Sequence, residues 1–192
     1  MYLIVEVPRR TAVLRGSRLK NTLECTWRLS MNSLAGHLLI APPQERDLDF
    51  VRTVILLIQH SEQQAFGVVL NRPTTTKVRS VWRGTKRCQC EDVVCSGGPV
   101  SGPLIALHTQ QPLGEIEVLP GVCYSVQKKH LDELFHTPTH PLKVFDSHAG
   151  WGPGQLDEFV ARGSWGTLSA TPEHVFHAGP NLWGKVSKVA TS

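Results

Sequence analysis

The chain has 192 residues, 41% hydrophobic and 19% charged, enough for one domain with a substantial core and against wholesale disorder. Its formal charge of +4 comes from residues 1–30, where Arg9, Arg10, Arg15, Arg18, Lys20 and Arg28 outnumber Glu6 and Glu24, while the rest balances 14 bases against 14 acids. A neutral folded part lacks the basic stripe of a nucleic-acid-binding domain, and no apolar run approaches the roughly 20 residues of a membrane-spanning helix.

Residues 1–30 show neither a period of 2 nor one of 3.6. They are expected to be a disordered basic leader, or to precede a true start at Met31, with the folded domain over 31–192. Tyr2–Val5 is too short for the apolar core of an export signal. The expected location is therefore the cytoplasm, where five reduced cysteines, an odd number, are ordinary.

From Gly36 the elements alternate. GHLLIA (36–41) reads as a buried strand closed by Pro42-Pro43, and Arg46–Arg52 as a helical turn. TVILLIQ (53–59) and AFGVVL (65–70) are β-branched runs around a polar turn, a hairpin that Asn71-Arg72-Pro73 should stop. Residues 74–90 read as loop or a weak helix. Short strands follow at Asp92–Cys95, Leu104–His108 and Ile116–Leu119. Ser125 has the character of an N-cap for a helix over Val126–Phe135 that turns Leu131, Leu134 and Phe135 to one face. PLKVFDS (141–147) reads as a strand running into AGWGPGQLDEF. There Leu156, Phe159 and Val160 recur at helical spacing, and Gly163 fits the position past the helix end. Gly166–Ser169 is a last strand, and Thr171-Pro172-Glu173 opens a terminal helix. Seven or eight strands and three or four helices in mixed order predict an α+β fold.

Several motifs invite chemistry. GWGPGQL (150–156) delivers a strand into a helix, but Asp157 and Glu158 in the first turn would repel a phosphate, and the spacing matches no phosphate-binding loop. Cys88, Cys90 and Cys95 lie close together, and His136 and His140 have the spacing of a zinc pair. The run C-x-C-x4-C is still a poor zinc knuckle, so no metal is assigned. The chain has no G-x-S-x-G elbow and no H-E-x-x-H. His37, His60, His108 and His148 border apolar strands and read as structural. No catalytic residue and no cofactor is assigned. Lys77, Arg79, Arg83, Lys86 and Arg87 form the one basic cluster in the folded part and leave direct nucleic-acid binding open, though not favoured.

GHLLIAPP, FVRTVILLIQH, GVVLNRP, SGGPV, AGWGPGQLDEF and SWGTLSATPEHVF occur in this order over about residues 33–176, and together they resemble the AlgH/YqgE family of bacterial cytoplasmic proteins. The resemblance implies a single α+β domain with a twisted, barrel-like mixed sheet. It implies no assigned biochemical activity, and it brings the label of transcriptional regulator, after a member linked to alginate production. The basic loop and the cysteine cluster stand outside the family's motifs. The reading is a regulatory or adaptor protein with an unknown macromolecular partner and no membrane. The alternative is a small-ligand binder or enzyme. For that alternative the NRP (71–73), GGP (97–99) and GWGPGQL loops are expected to converge at one rim of the sheet, with Asn71, Arg72, Gly97, Gly98, Trp151, Gly154 and Gln155 as binding candidates. Arg72 would meet an anion there, or else lock the loops by pairing with Asp146 or Asp157.

Overall fold

Ten strands and five short α-helices form between residues 33 and 188; the computed structural model describes residues 33–138, 141–163, 165–177 and 179–188. The basic segment at 1–30 and His140 lie outside the described residues. The strands are β1 (His37–Ile40), β2 (Val54–His60), β3 (Ala65–Val69), β4 (Pro73–Lys77), β5 (Val93–Cys95), β6 (Val100–His108), β7 (Ile116–Leu119), β8 (Val122–Ser125), β9 (Leu142–Trp151) and β10 (Gly166–Ser169). The helices are α1 (Val78–Val81), α2 (Lys128–His136), α3 (Gln155–Ala161), α4 (Pro172–Phe176) and α5 (Leu182–Val186), with a 3-10 turn at Gln111–Leu113. None of the described helices is long and apolar enough to cross a membrane.

The fold is α+β around one mixed sheet. Its main path runs β10-β1-β2-β3-β9-β6-β8-β7, and every neighbour on that path is antiparallel. Beside it, β5 pairs antiparallel with β4 and parallel with β9, with Val94 opposite Val144 and Cys95 opposite Phe145. The sheet curls into a half-barrel that brings β7 back to the start of β1. Gly36, just before β1, adopts φ +75°, and a methyl there would lie 2.9 Å from the Val118 carbonyl of β7. Only glycine permits both that dihedral and that approach.

Curling separates an inner face from an outer one. The inner cluster takes Leu38, Leu56, Val68, Leu107, Val122 and Phe145 from six strands, and is filled by Val175 of α4 and Leu182 and Val186 of α5. On the outer face α3 and Trp165 cover Leu39, Ile55, Leu57, Val69 and Ala149. Leu131, Leu134 and Phe135 of α2 cover Ala106 and Val144 further along. Strands buried on both faces read as continuous apolar runs, which is why VILLI in β2 shows no alternation.

Three local expectations change. Asn71-Arg72-Pro73 does end the hairpin, with β3 stopping at Val69, but the stretch expected as loop from residue 74 pairs again at once: Pro73 starts β4, at an edge position where a missing N–H costs nothing. Ser125 is no N-cap but the buried last residue of β8, and α2 begins three residues later, at Lys128 after Gln127. The Glu115 carboxylate instead fixes the two residues leading into the helix, accepting from the N–H groups of Val126 and Gln127 at 2.9 and 2.7 Å. The count of elements is also higher, ten strands and five helices against seven or eight and three or four, because four-residue pieces such as α1 carry too little pattern to read.

Candidate functional site

The hairpin β2–β3 ends at Asn71, whose side chain turns back into the sheet. Its Oδ1 accepts from Val54 N at 3.0 Å and its Nδ2 donates to Arg52 O at 2.9 Å. Arg72 then reaches outward, and its guanidinium donates to the carbonyls of Leu48 at 2.9 Å and Val51 at 3.5 Å. Neither Asp146 nor Asp157 is its partner. The loop beneath it is tied down further. Glu45 accepts from the N–H groups of Arg46 and Asp47 and from the Trp165 indole, and Asp47 accepts from Asp49 N. Phe50 packs edge-on against Trp165, and the Arg52 guanidinium lies 5.7 Å from the Trp183 ring centre. Arg52 itself holds φ +54°, a left-handed conformation that non-glycine residues seldom adopt. These ties leave Leu48 outside, 83% exposed, with Val51 exposed beside it.

The NRP and GGP loops meet. Ser96 N donates to Arg72 O, and Val69 N donates to Gly97 O. Gly97 N donates to the Ser147 hydroxyl at 2.9 Å, and a side chain at Gly97 or Gly98 would overlap the backbone of Ser147 or His148. GWGPGQL starts beside Gly98, which abuts His148 and Ala149, but runs away from NRP. The register sets Trp151 opposite Ala65, at the far end of β3 from Asn71. Six residues of strand separate Ala65 from Asn71, about 20 Å at roughly 3.3 Å each. NRP and GWGPGQL therefore do not share one rim; GGP lies between them, against β9 at Ser147–Ala149. Trp151 packs against Phe159 and the outer cluster, Gly154 sits at φ +69° before α3, and Gln155 accepts from Gly152 N at 2.8 Å.

The buried histidines are wired structurally. His108 Nδ1 accepts from Gln110 N, which puts the ring proton on Nε2; this donates to the Ser125 hydroxyl at 2.9 Å, and that hydroxyl donates to Leu113 O. Protons run away from the histidine, opposite to a serine activated as nucleophile. Burial, helped by His130, pushes the imidazole down to about 4, so it stays neutral. His60 Nδ1 accepts from Leu34 N at 3.0 Å, and its Nε2 lies 3.3 Å from Asp157 Oδ1 of α3 in a buried contact that is not a well-aligned hydrogen bond. Both ring nitrogens face protein, so neither is left to a substrate. His148 stands beside Phe66, and burial holds its imidazole below the ordinary range. Burial pushes the thiols of Cys90, Cys95 and Cys123 up.

A family model described as DUF179, AlgH-like, matches residues 38–191. The chain belongs to the AlgH-like family. Among its relatives a UPF0301 protein of Streptomyces avermitilis is 36% identical over 167 residues, covering 81% of this chain and 86% of that protein. The solution structure of AlgH from Pseudomonas aeruginosa superposes with a TM-score of 0.68 at 26% identity, covering 91% of this chain and 93% of that one. A crystal structure from Corynebacterium diphtheriae gives 0.65 at 26% identity, covering 80% and 85%. In this AlgH-like chain, then, the NRP and GGP motifs fasten backbone to backbone. What residue reading missed is the loop they fasten: nothing in ERDLDF announces that Leu48 faces out and Phe50 in.

Proposed function

We propose that the protein is a cytoplasmic regulatory or adaptor protein that docks another protein through the loop at residues 45–52. The supporting observation is Leu48, 83% exposed on a loop held by Arg72, Glu45 and the strained Arg52. A loop pinned this firmly pays little ordering entropy on binding, and strained backbone is retained where it serves a role. The alternative, a small-ligand site formed by the NRP, GGP and GWGPGQL loops, has less support. Both polar atoms of Asn71, the Nη2 of Arg72 and the Oε1 of Gln155 are engaged by backbone groups, and the third loop lies about 20 Å from the first along the strand. A direct regulator on DNA has less support again. Lys77 and Arg79 pair with Glu91, and Lys86 with Glu133, which leaves Arg83 and Arg87 to meet phosphates.

The test places a photo-crosslinking residue at position 48 and, as control, at the exposed Thr109. A discrete adduct with one protein from position 48, absent at 109 and weakened by Arg72→Ala, is the expected result. Identical adduct patterns from both positions, or no adduct from 48 in cells expressing the protein at natural level, would overturn the docking reading.

A further inference from the structure

Outside the family motifs, an open surface cleft of about 600 Å³ is lined by Arg79, Arg87, Cys88, Gln89 and Glu91, all exposed but Cys88. That volume lies in the range of small-molecule sites. The walls are fixed. Trp82 Nε1, Thr85 N and Thr85 Oγ1 all donate to the buried Asp132 carboxylate of α2, Gln89 N donates to Phe135 O at 2.8 Å, and His136 Nδ1 donates to Arg87 O at 3.0 Å. The backbone on both sides of Cys88 is thus fastened to α2 and the cleft exists without a ligand.

Its charge is unbalanced. Glu91 is shared by Lys77 and Arg79, so one carboxylate answers two cations. The Arg87 guanidinium has no ion-pair or hydrogen-bond partner among the described residues. Two guanidiniums around a concave space recognise carboxylates, which they can grip in paired hydrogen bonds. Between them stands a thiol. Cys88 is half-buried and lines the cleft, whereas Cys90, Cys95 and Cys123 are at most 2% exposed.

We propose that this cleft binds small disulfides carrying carboxylates and that Cys88 takes up one half of them by thiol–disulfide exchange. The Cys88 thiol releases its proton to water, and the thiolate attacks one sulfur of the bound disulfide. A new S–S bond forms to Cys88 as the old one breaks; the other half leaves as a thiolate and is protonated. One disulfide is exchanged for another, so no further oxidant enters. The adduct persists because its neighbour is a poor attacker. Cys90 is fully buried, its Sγ donates to Asp92 at 3.3 Å, and burial holds its thiol up at about 12.

The experiment treats the reduced full chain with oxidised glutathione, which is anionic, and in parallel with cystamine, which is cationic, and locates adducts by peptide mapping. Cys88 is expected to react about tenfold faster with glutathione disulfide relative to each reagent's rate on free cysteine, with the preference falling toward one near 1 M salt, where screening is on the order of 3 Å. Arg87→Ala and Arg79→Ala should each shrink the preference, and Cys88→Ser should remove the adduct. Equal relative rates for the two reagents, a preference untouched in both arginine variants, adducts mainly on other cysteines, or rapid conversion to a Cys88–Cys90 disulfide would each overturn the proposal.

Discussion

His108 shows how one buried side chain sets a condition on the whole fold. It is fully inaccessible, neutral, and bonded at both nitrogens, to Gln110 N and to the Ser125 hydroxyl. Burial is the main cause of its low protonation point, the nearby His130 adds to it, and Glu115 opposes it. In the unfolded chain a histidine takes a proton at about 6.5; here it waits until about 4. The folded state therefore binds fewer protons between those values. The stabilising contribution is complete above about pH 6.5 and falls away as the pH drops toward about 4, by up to about 3 kcal/mol. Denaturant unfolding at pH 7 and pH 4.5 should show that loss, and His108→Gln should flatten it while lowering stability at pH 7. His148, depressed in the same direction by burial, leaves a residual slope in the variant. An unchanged slope in His108→Gln would refute the assignment.

At the level of elements, the glycines of the two motifs answer different needs. Gly154 precedes α3 at φ +69° with open space around it, so Gly154→Ala meets only the dihedral penalty, about 1 kcal/mol. At Gly97 a methyl would overlap the Ser147 carbonyl, backbone that cannot step aside, so Gly97→Ala should cost several times more, about 3 kcal/mol or above. Urea midpoints of the two variants check the ordering, and equal losses would contradict it. The same elements show what was legible. β2 and β3 follow from dense β-branched runs, α3 from Leu156, Phe159 and Val160, and the Thr171 cap from its own chemistry, with His174 N donating to Thr171 Oγ1. Pairing was not legible. PTTTK in β4 has no apolar alternation, and its partner β5 lies 16 residues on from the end of β4. Motif order along a chain also says nothing of register, which is why Asn71 and Trp151, both beside β3, end at opposite ends of it. Ser125 illustrates a third limit: a serine before a helix can cap it or be buried, and only the distant His108 decides.

For the molecule as a whole, the curled sheet leaves an inner face that strands alone do not fill. β7 comes back to Gly36 at the start of β1, and the inner space is filled by α4 and α5. Val175 is 0% exposed, Leu182 5% and Val186 3%, though they sit on helices of only five residues. Helices this short are not stable on their own, so packing holds them there. The Trp183 indole donates to Ala41 O at 2.8 Å, and the Lys143 ammonium donates to Val175 O at 3.4 Å, tying both helices to the sheet. Arg52, leaning on Trp183, links this inner plug to the loop that carries Leu48. Each buried aliphatic side chain contributes about 1.5–3 kcal/mol. Three of them are then worth about 5–9 kcal/mol, comparable with the roughly 5–15 kcal/mol net stability of a domain. Truncation after Ala170 should therefore abolish cooperative unfolding and expose the inner face to a hydrophobic dye, while far-ultraviolet circular dichroism keeps much of its strand signal. Val175→Ala and Leu182→Ala in the full chain should each lower stability by about 2–4 kcal/mol without loss of cooperativity. A truncated chain that still melts cooperatively and binds no dye would mean that the sheet closes on itself and that α4 and α5 only decorate it.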